Sequence, residues 1–243
     1  MHTPILESVR TKARDIWHKN GILDERVSVH ARTLSVEEAI GDPEGDDFPL
    51  QRGKERLMEA AFGDARGQAF TDRYGDFDAS LREICDMPLE NNFRRALFVA
   101  ALNAVQRRLA QTDHTIHCRD KGPSHCAPKL ADYITETYGA GVRITQIGYQ
   151  PKMLETLAPR FSMRIVDLDP DNIGAHKCGL TVLGPDDTDA AIQWADLLLV
   201  TGSTLVNGTV DTFLGEKPVL FFGTTIAAAA DLMGWDRFCC ESM

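Results

Sequence analysis

The chain has 243 residues, 43% of them apolar and 26% charged, with 26 Lys and Arg against 36 Asp and Glu for a formal net charge of −10. That composition excludes a chain disordered throughout and leaves room for one large domain or two small ones. Residues 1–112 carry 16 basic and 19 acidic side chains and residues 113–243 carry 10 and 17, so neither part offers the positive surface that supplies most nucleic-acid affinity.

No apolar run approaches the ~20 residues of a membrane helix; the best candidate, Ala96 to Val105, is short and flanked by Arg95 and Arg107. Glu7 falls inside what would have to be the apolar stretch of a signal peptide. The expectation is a cytoplasmic chain with no nucleic-acid or membrane partner. Its six cysteines are too sparse for a secreted disulfide scaffold and read as free thiols, metal ligands or redox groups.

Ile5, Leu6, Val9, Ala13, Ile16 and Trp17 recur at helical spacing, and Gly21 closes the run. Val27, Val29 and Ala31 alternate with polar residues as in a half-buried strand. Ser35 with Glu38 fits a capping box, and Gly41 to Gly53, rich in Asp, Glu, Gly and Pro, reads as an exposed loop unless a cation orders it. Arg56 to Phe62 and Ala65 to Thr71 flank Gly63-Asp64, a pair suited to a type II′ hairpin turn. A short helical segment spans Ser80 to Cys85. From Phe93 to Leu109 the apolar residues trace a helical face, with Asn91 or Asn92 as N-cap.

After Thr112 the pattern changes to a polar loop, a helix from Ser124 to about Tyr138, and then apolar strands alternating with helices. Arg143 to Ile147, Met163 to Val166, Leu197 to Val200 and Val219 to Phe222 read as buried strands. Pro151 to Leu157, Thr188 to Trp194, Thr204 to Leu214 and Ile226 to Met233 read as helices. Repeated strand then helix implies a parallel sheet of Rossmann type, with a domain boundary inside residues 110–124.

Ligands of such sheets bind at the carboxyl ends of the strands. Here those positions are Gly148-Tyr149-Gln150, Asp167-Leu168-Asp169, Thr201-Gly202-Ser203-Thr204 and Gly223-Thr224-Thr225. The chain lacks both G-x-G-x-x-G and G-x-x-x-x-G-K-[ST], so the main signals for dinucleotides and for a P-loop are missing. Asp167 stands where many Rossmann proteins hold ribose hydroxyls, though Asp167, Asp169 and Asn172 could equally cap a turn. Thr201 to Thr209, a hydroxyl-rich strand end entering a helix, could aim backbone N–H groups at an anion; Asn207-Gly208-Thr209 could bring a ligand or a packing helix close to the backbone.

The other distinctive string runs from His117-Cys118 to His125-Cys126, two thiols and two imidazoles within ten positions. With Ser124 as N-cap, Cys126 would lie at a helix N-terminus, where the dipole favours the thiolate. A metal or reactive-thiol site and buried structural cysteines are both open readings. Cys239-Cys240 is a vicinal pair that could take a soft cation or lie at a strand end; Cys85 and Cys178 read as structural.

At these strings the sequence resembles the bacterial and archaeal family described as "putative heavy-metal chelation" proteins. The segments that carry the resemblance are 67–72, 103–105, 117–120, 147–151, 167–174 and 201–209, and the likeness runs from about Val27 to the end. It implies an α/β protein in which a small enolase N-terminal-like α+β domain, residues 1–112, precedes a Rossmann-like domain, residues 113–243. It does not imply the enolase reaction, whose metal ligands belong to a barrel that this chain lacks.

The resemblance implies a cleft between the two domains. Lys54, Glu55, Thr71 and Asp72 would face it from the hairpin, and Gly148, Gln150, Asp167, Asp169, Asn172, Thr201, Gly202, Ser203, Thr204, Asn207, Thr209 and Thr224 from the strand ends. His117, Cys118, His125 and Cys126 are the candidate ligands of a transition or heavy metal ion. The expected function is binding of such a metal, or of a metal-chelating small molecule. The alternative is a small-molecule enzyme that holds a nucleotide or adenosyl ligand beside a reactive cysteine. A further alternative is a homo-oligomeric interaction module.

Overall fold

The computed structural model describes residues 3–33, 37–38, 41 and 55–243. The capping box at Ser35, most of the acidic loop and Lys54 lie outside these residues. Among the described residues no helix is long and apolar enough to cross a membrane.

Helix α1 (Pro4–Lys19) buries Leu6, Val9, Ala13 and Trp17, the stripe its periodicity predicts. Strands β1 (Arg26–Thr33), β2 (Arg56–Phe62), β3 (Ala65–Thr71) and β4 (Phe77–Ser80) form an antiparallel sheet in the order β3-β2-β1-β4. The β2–β3 hairpin turns at Gly63, whose φ of +59° suits the first central position of the expected turn. Ser80 and Glu83 then close a capping box on α2 (Leu81–Asp86).

Helix α3 (Asn92–Arg108) starts from Asn91, whose side chain accepts from the Arg94 N–H. Its periodicity suggests one apolar face, yet it is buried on every side from Arg95 to Gln106. The β2–β3 hairpin covers one flank, and two helices of the second sheet, named below, cover the other. Gly67 permits that approach: a Cβ there would stand 2.6 Å from the Ala100 carbonyl oxygen and closer still to the Ala104 nitrogen.

The remainder runs α4 (Gly122–Tyr138), β5 (Arg143–Ile147), α5 (Pro151–Leu157), β6 (Ser162–Val166), β7 (His176–Lys177) and β8 (Leu180–Leu183). It continues with α6 (Thr188–Trp194), β9 (Leu197–Thr201), α7 (Ser203–Asn207), β10 (Val219–Phe222), α8 (Ala227–Met233) and β11 (Arg237–Phe238). Seven strands lie in the order β11-β10-β9-β5-β6-β8-β7, with every pair parallel except β7 with β8. The chain leaves β5 through β6 and β8, then returns to β9 on the other side. The switch point therefore lies between β5 and β9.

The elements depart from the sequence reading in three ways. The helix expected from Thr204 to Leu214 stops at Asn207, because Gly208 turns left-handed with φ +71°, and a 3-10 turn follows at Val210–Thr212. Helix α4 begins at Gly122, two residues before Ser124, with Lys121 rather than Ser124 at the N-cap. The short strands β4, β7, β8 and β11 have no counterpart in the sequence pattern.

Side chains alternate across the second sheet. Ile147, Val166, Leu198, Val200 and Phe221 face a core continuous with α1, α3 and the first sheet. Ile144, Ile165, Leu197, Leu199, Leu220 and Phe222 face a separate core under α4 and α5.

Candidate functional site

The carboxyl rim of the seven-stranded sheet is tightest at its switch point. Gly148, just after β5, has φ +90°, and a Cβ there would stand 2.6 Å from the Thr201 methyl. A Cβ on Gly202 would stand 2.7 Å from the Ile226 nitrogen. Glycine at these two positions lets the loops after β5, β9 and β10 close on one another.

The turn into α7 satisfies itself. The Gly202 N–H donates to Phe222 O, the Ser203 N–H to Thr201 Oγ1 at 3.4 Å, and the Leu205 N–H to Gly202 O. Thr204 Oγ1 donates to Thr201 O at 2.8 Å, and Thr209 N–H to Thr204 O at 2.9 Å. These donors are thus directed inward rather than at an external anion. Beyond Asn207, buried Arg95 reaches from α3 to donate to Val206 O, and its guanidinium packs on Gly208.

Asp167 organises the next loops. Its carboxylate accepts from Tyr149 N–H at 2.6 Å and from Asp169 N–H at 2.7 Å, with Asn172 Nδ2 at 3.5 Å. Asp169 accepts from Asp171 N–H, and Gln150 caps α5 by accepting from Met153 N–H. This arrangement matches the turn-capping reading of Asp167 and Asp169.

From the first sheet, Glu55 precedes β2 and is largely buried. Burial, then the negative charges of Asp167, Asp72 and Asp169, pushes its carboxyl up to about 7. That shared field places Glu55 opposite the rim, on the hairpin side where the sequence puts it. Thr71 Oγ1 exchanges hydrogen bonds with the Arg73 backbone, and Asp72 accepts from Asn92 Nδ2.

A polar pin fixes the two sheets. Fully buried Asn103 of α3 donates through Nδ2 to Gln68 O, Thr224 O and Thr225 O at 2.9–3.2 Å, and accepts from Ala228 N–H through Oδ1. Thr225 Oγ1 accepts from Phe70 N–H, and Gln68 Oε1 from His117 N–H. Thr224 Oγ1, fully buried, has no partner among the described residues.

The thiols gather at the β11 end of the same rim. Cys118 lies just before α4 and Cys126 one turn inside it, while the parallel pairing of β11 with β10 delivers Cys239 and Cys240. Cys240 Sγ donates to Cys126 Sγ at 3.8 Å. The Gly223 N–H donates to Cys239. Burial first, then the neighbouring Cys239, Glu241 and Cys240, pushes the Cys118 thiol up to about 12. Cys126 is raised by burial and by Cys240 and Cys239. The helix dipole expected to favour a Cys126 thiolate is outweighed, because the residue sits a full turn inside α4 and beside another thiol.

His117 packs edge-on against Phe70, with ring centroids 5.2 Å apart. Burial pushes its imidazole down to about 4, and Nδ1 has no partner among the described residues; the ring is neutral. His125 is exposed on α4. No disulfide links any of the six cysteines; Cys85 is buried in α2 and Cys178 is exposed. Among the described residues no three His, Cys, Asp or Glu side chains already converge on a metal position. The pairing of Cys239 and Cys240 with the α4 thiols was not predicted; the vicinal cysteines were the one signal that could have pointed to it.

Fold and rim together define a two-sheet α/β protein with a polar and thiol-bearing edge at the strand ends. Residues 132–232 match the family described as "Putative heavy-metal chelation" (DUF364), the family that the sequence resembles. Two solved structures of proteins of unknown function from that family share the fold. The one from Pyrococcus horikoshii is 18% identical, covers 91% of this chain and 79% of its own, and has a TM-score of 0.58. The one from Desulfitobacterium hafniense DCB-2 is 13% identical, with coverages of 91% and 83% and a TM-score of 0.51. No curated protein matches the chain.

Proposed function

We propose that the chain binds a heavy or transition metal, or a small molecule that chelates one, at the carboxyl rim between a domain of residues 1–112 and a domain of residues 113–243. The observation that carries this reading is the arrival of two uncharged thiols, half-buried Cys118 and buried Cys126, on the rim. Sulfur donors select soft cations over Mg2+ or Ca2+. Neutral His117 is the imidazole candidate, since a metal takes the unprotonated ring and its Nδ1 is unpartnered among the described residues. His125 is the weaker one, being exposed. The hydroxyls and carboxylates around Gly148, Asp167, Thr201 and Thr224, with Thr71 and Asp72 on the hairpin side, would hold the organic part of a chelate. A cytoplasmic setting, which keeps the thiols reduced, belongs to the same proposal.

The adenosyl-enzyme reading has less support. Both Asp167 oxygens already accept backbone N–H groups, and the thiols are held in the protonated form, which is the poorer nucleophile. Thermal unfolding with and without Zn2+ or Cd2+ tests the choice. Metal at 100 times its Kd adds about 2.7 kcal/mol to stability, so the wild-type transition should rise and that of a Cys118→Ala/Cys126→Ala variant should not. A wild type indifferent to both metals but stabilised by adenosyl compounds would reverse the conclusion.

A further inference from the structure

We infer that Cys240 and Cys126 form a reversible oxidation site, in which a low-molecular-weight disulfide reacts at exposed Cys240 and buried Cys126 completes an intramolecular disulfide. The inference goes beyond the metal-binding reading above and stands without it. Two sulfurs 114 positions apart in the chain face each other at 3.8 Å, with Cys240 Sγ donating to Cys126 Sγ. That is van der Waals contact, and reaching the ~2.05 Å of a disulfide moves each sulfur by about 1 Å. Access is unequal: Cys240 is open to solvent, whereas Cys126 is 5% exposed. An external disulfide therefore meets Cys240 first, and Cys126 is the thiol placed to resolve it.

Both backbones are held where the contact needs them. Cys126 is fixed in α4, which buries Ala127, Leu130 and Ala131 beside it. The segment that carries Cys240 is tied down along its length. Ser242 Oγ donates to Cys239 O, Lys129 of α4 pairs with Glu241, and Met243 exchanges backbone hydrogen bonds with Ile116 in both directions. Holding two reacting sulfurs in contact turns a bimolecular encounter into a unimolecular one, which offsets the poor nucleophilicity of a protonated, buried thiol. The exchange balances in two steps. The Cys240 thiolate attacks one sulfur of the small disulfide, whose S–S bond breaks and whose other half leaves as a thiol after taking up a proton. The Cys126 sulfur, losing its proton to solvent, then attacks the Cys240 sulfur and expels the second small thiol. The two cysteines are oxidised by two electrons, and the small disulfide is reduced to two thiols.

The test is equilibration of the reduced, metal-free full chain with oxidised and reduced glutathione, followed by acid quenching, alkylation of the remaining thiols and tryptic peptide mapping. Peptide 122–129, which holds Cys126, should be joined to peptide 238–243, which holds Cys239 and Cys240, and excess reduced glutathione should separate them. Cys240→Ser should abolish the joined pair, Cys239→Ser and Cys118→Ser should keep it, and Cys126→Ala should stop at a glutathione adduct on Cys240. Exposed Cys178, between β7 and β8 at the opposite edge of the sheet from β11, should also stop at the adduct. Wild type carrying adducts without the joined pair, a pair that persists in Cys240→Ser, or an unreacted Cys240 in Cys126→Ala would each overturn the site. Metal uptake by the reduced chain is a separate readout, so failure here leaves the metal-binding reading standing.

Discussion

Asn103 is the residue whose removal should be felt in both sheets at once. It serves three carbonyls and one N–H in a place without solvent, and unsatisfied buried groups cost roughly 1–3 kcal/mol each. Asn103→Leu should therefore destabilise the chain by about 3 kcal/mol and lower its melting temperature by roughly 10 °C in calorimetry; an unchanged transition would show that the pin is dispensable. Glu55 makes a pH prediction. Its carboxyl titrates near 4.5 in the unfolded chain and at about 7 in the folded one. Between those values the folded state keeps a proton the unfolded state has lost, so this group's contribution is full below pH 4.5 and fades as pH rises to 7. Glu55→Gln should flatten that decline and leave the variant more stable than wild type at pH 8, by roughly 1–3 kcal/mol in denaturant titration.

Helix α3 shows how far the elements could be read from sequence. Its existence and its Asn91 cap follow from local pattern, but its burial on all sides depends on Gly67, on a strand remote in sequence, admitting the backbone of α3. Gly67→Ala should cost more than about 3 kcal/mol, since backbone atoms cannot step aside. Gly215→Ala, with open space around it, should stay within about 0.5 kcal/mol of wild type; similar losses for both in urea unfolding would refute the close approach. Strands Arg143–Ile147 and Val219–Phe222 and helices Pro151–Leu157 and Thr188–Trp194 were legible to the residue, because apolar runs there are bounded by turn residues. Strands β7 and β11, two residues each, exist only through pairing with a neighbour and leave no periodicity. Gly208 looks, in sequence, like a tolerated helix glycine, and only its left-handed φ reveals a stop. The same limit hid the thiol cluster: Cys118 and Cys126 are close in sequence, but Cys239 and Cys240 join them only through β11.

At the scale of the molecule, α3 and Asn103 bind two sheets into one core and hold the hairpin over the strand ends. The polar rim at the β5–β9 switch point and the thiols beyond β10 are thereby parts of one edge, with Glu55 above it. The central claim is that this edge holds metal, and metal content tests it most directly. Elemental analysis by mass spectrometry would compare anaerobically purified wild type with Cys118→Ala/Cys126→Ala after dialysis against a weak chelator. Near-stoichiometric metal in wild type and none in the variant is the predicted result; equal and negligible metal in both would contradict it.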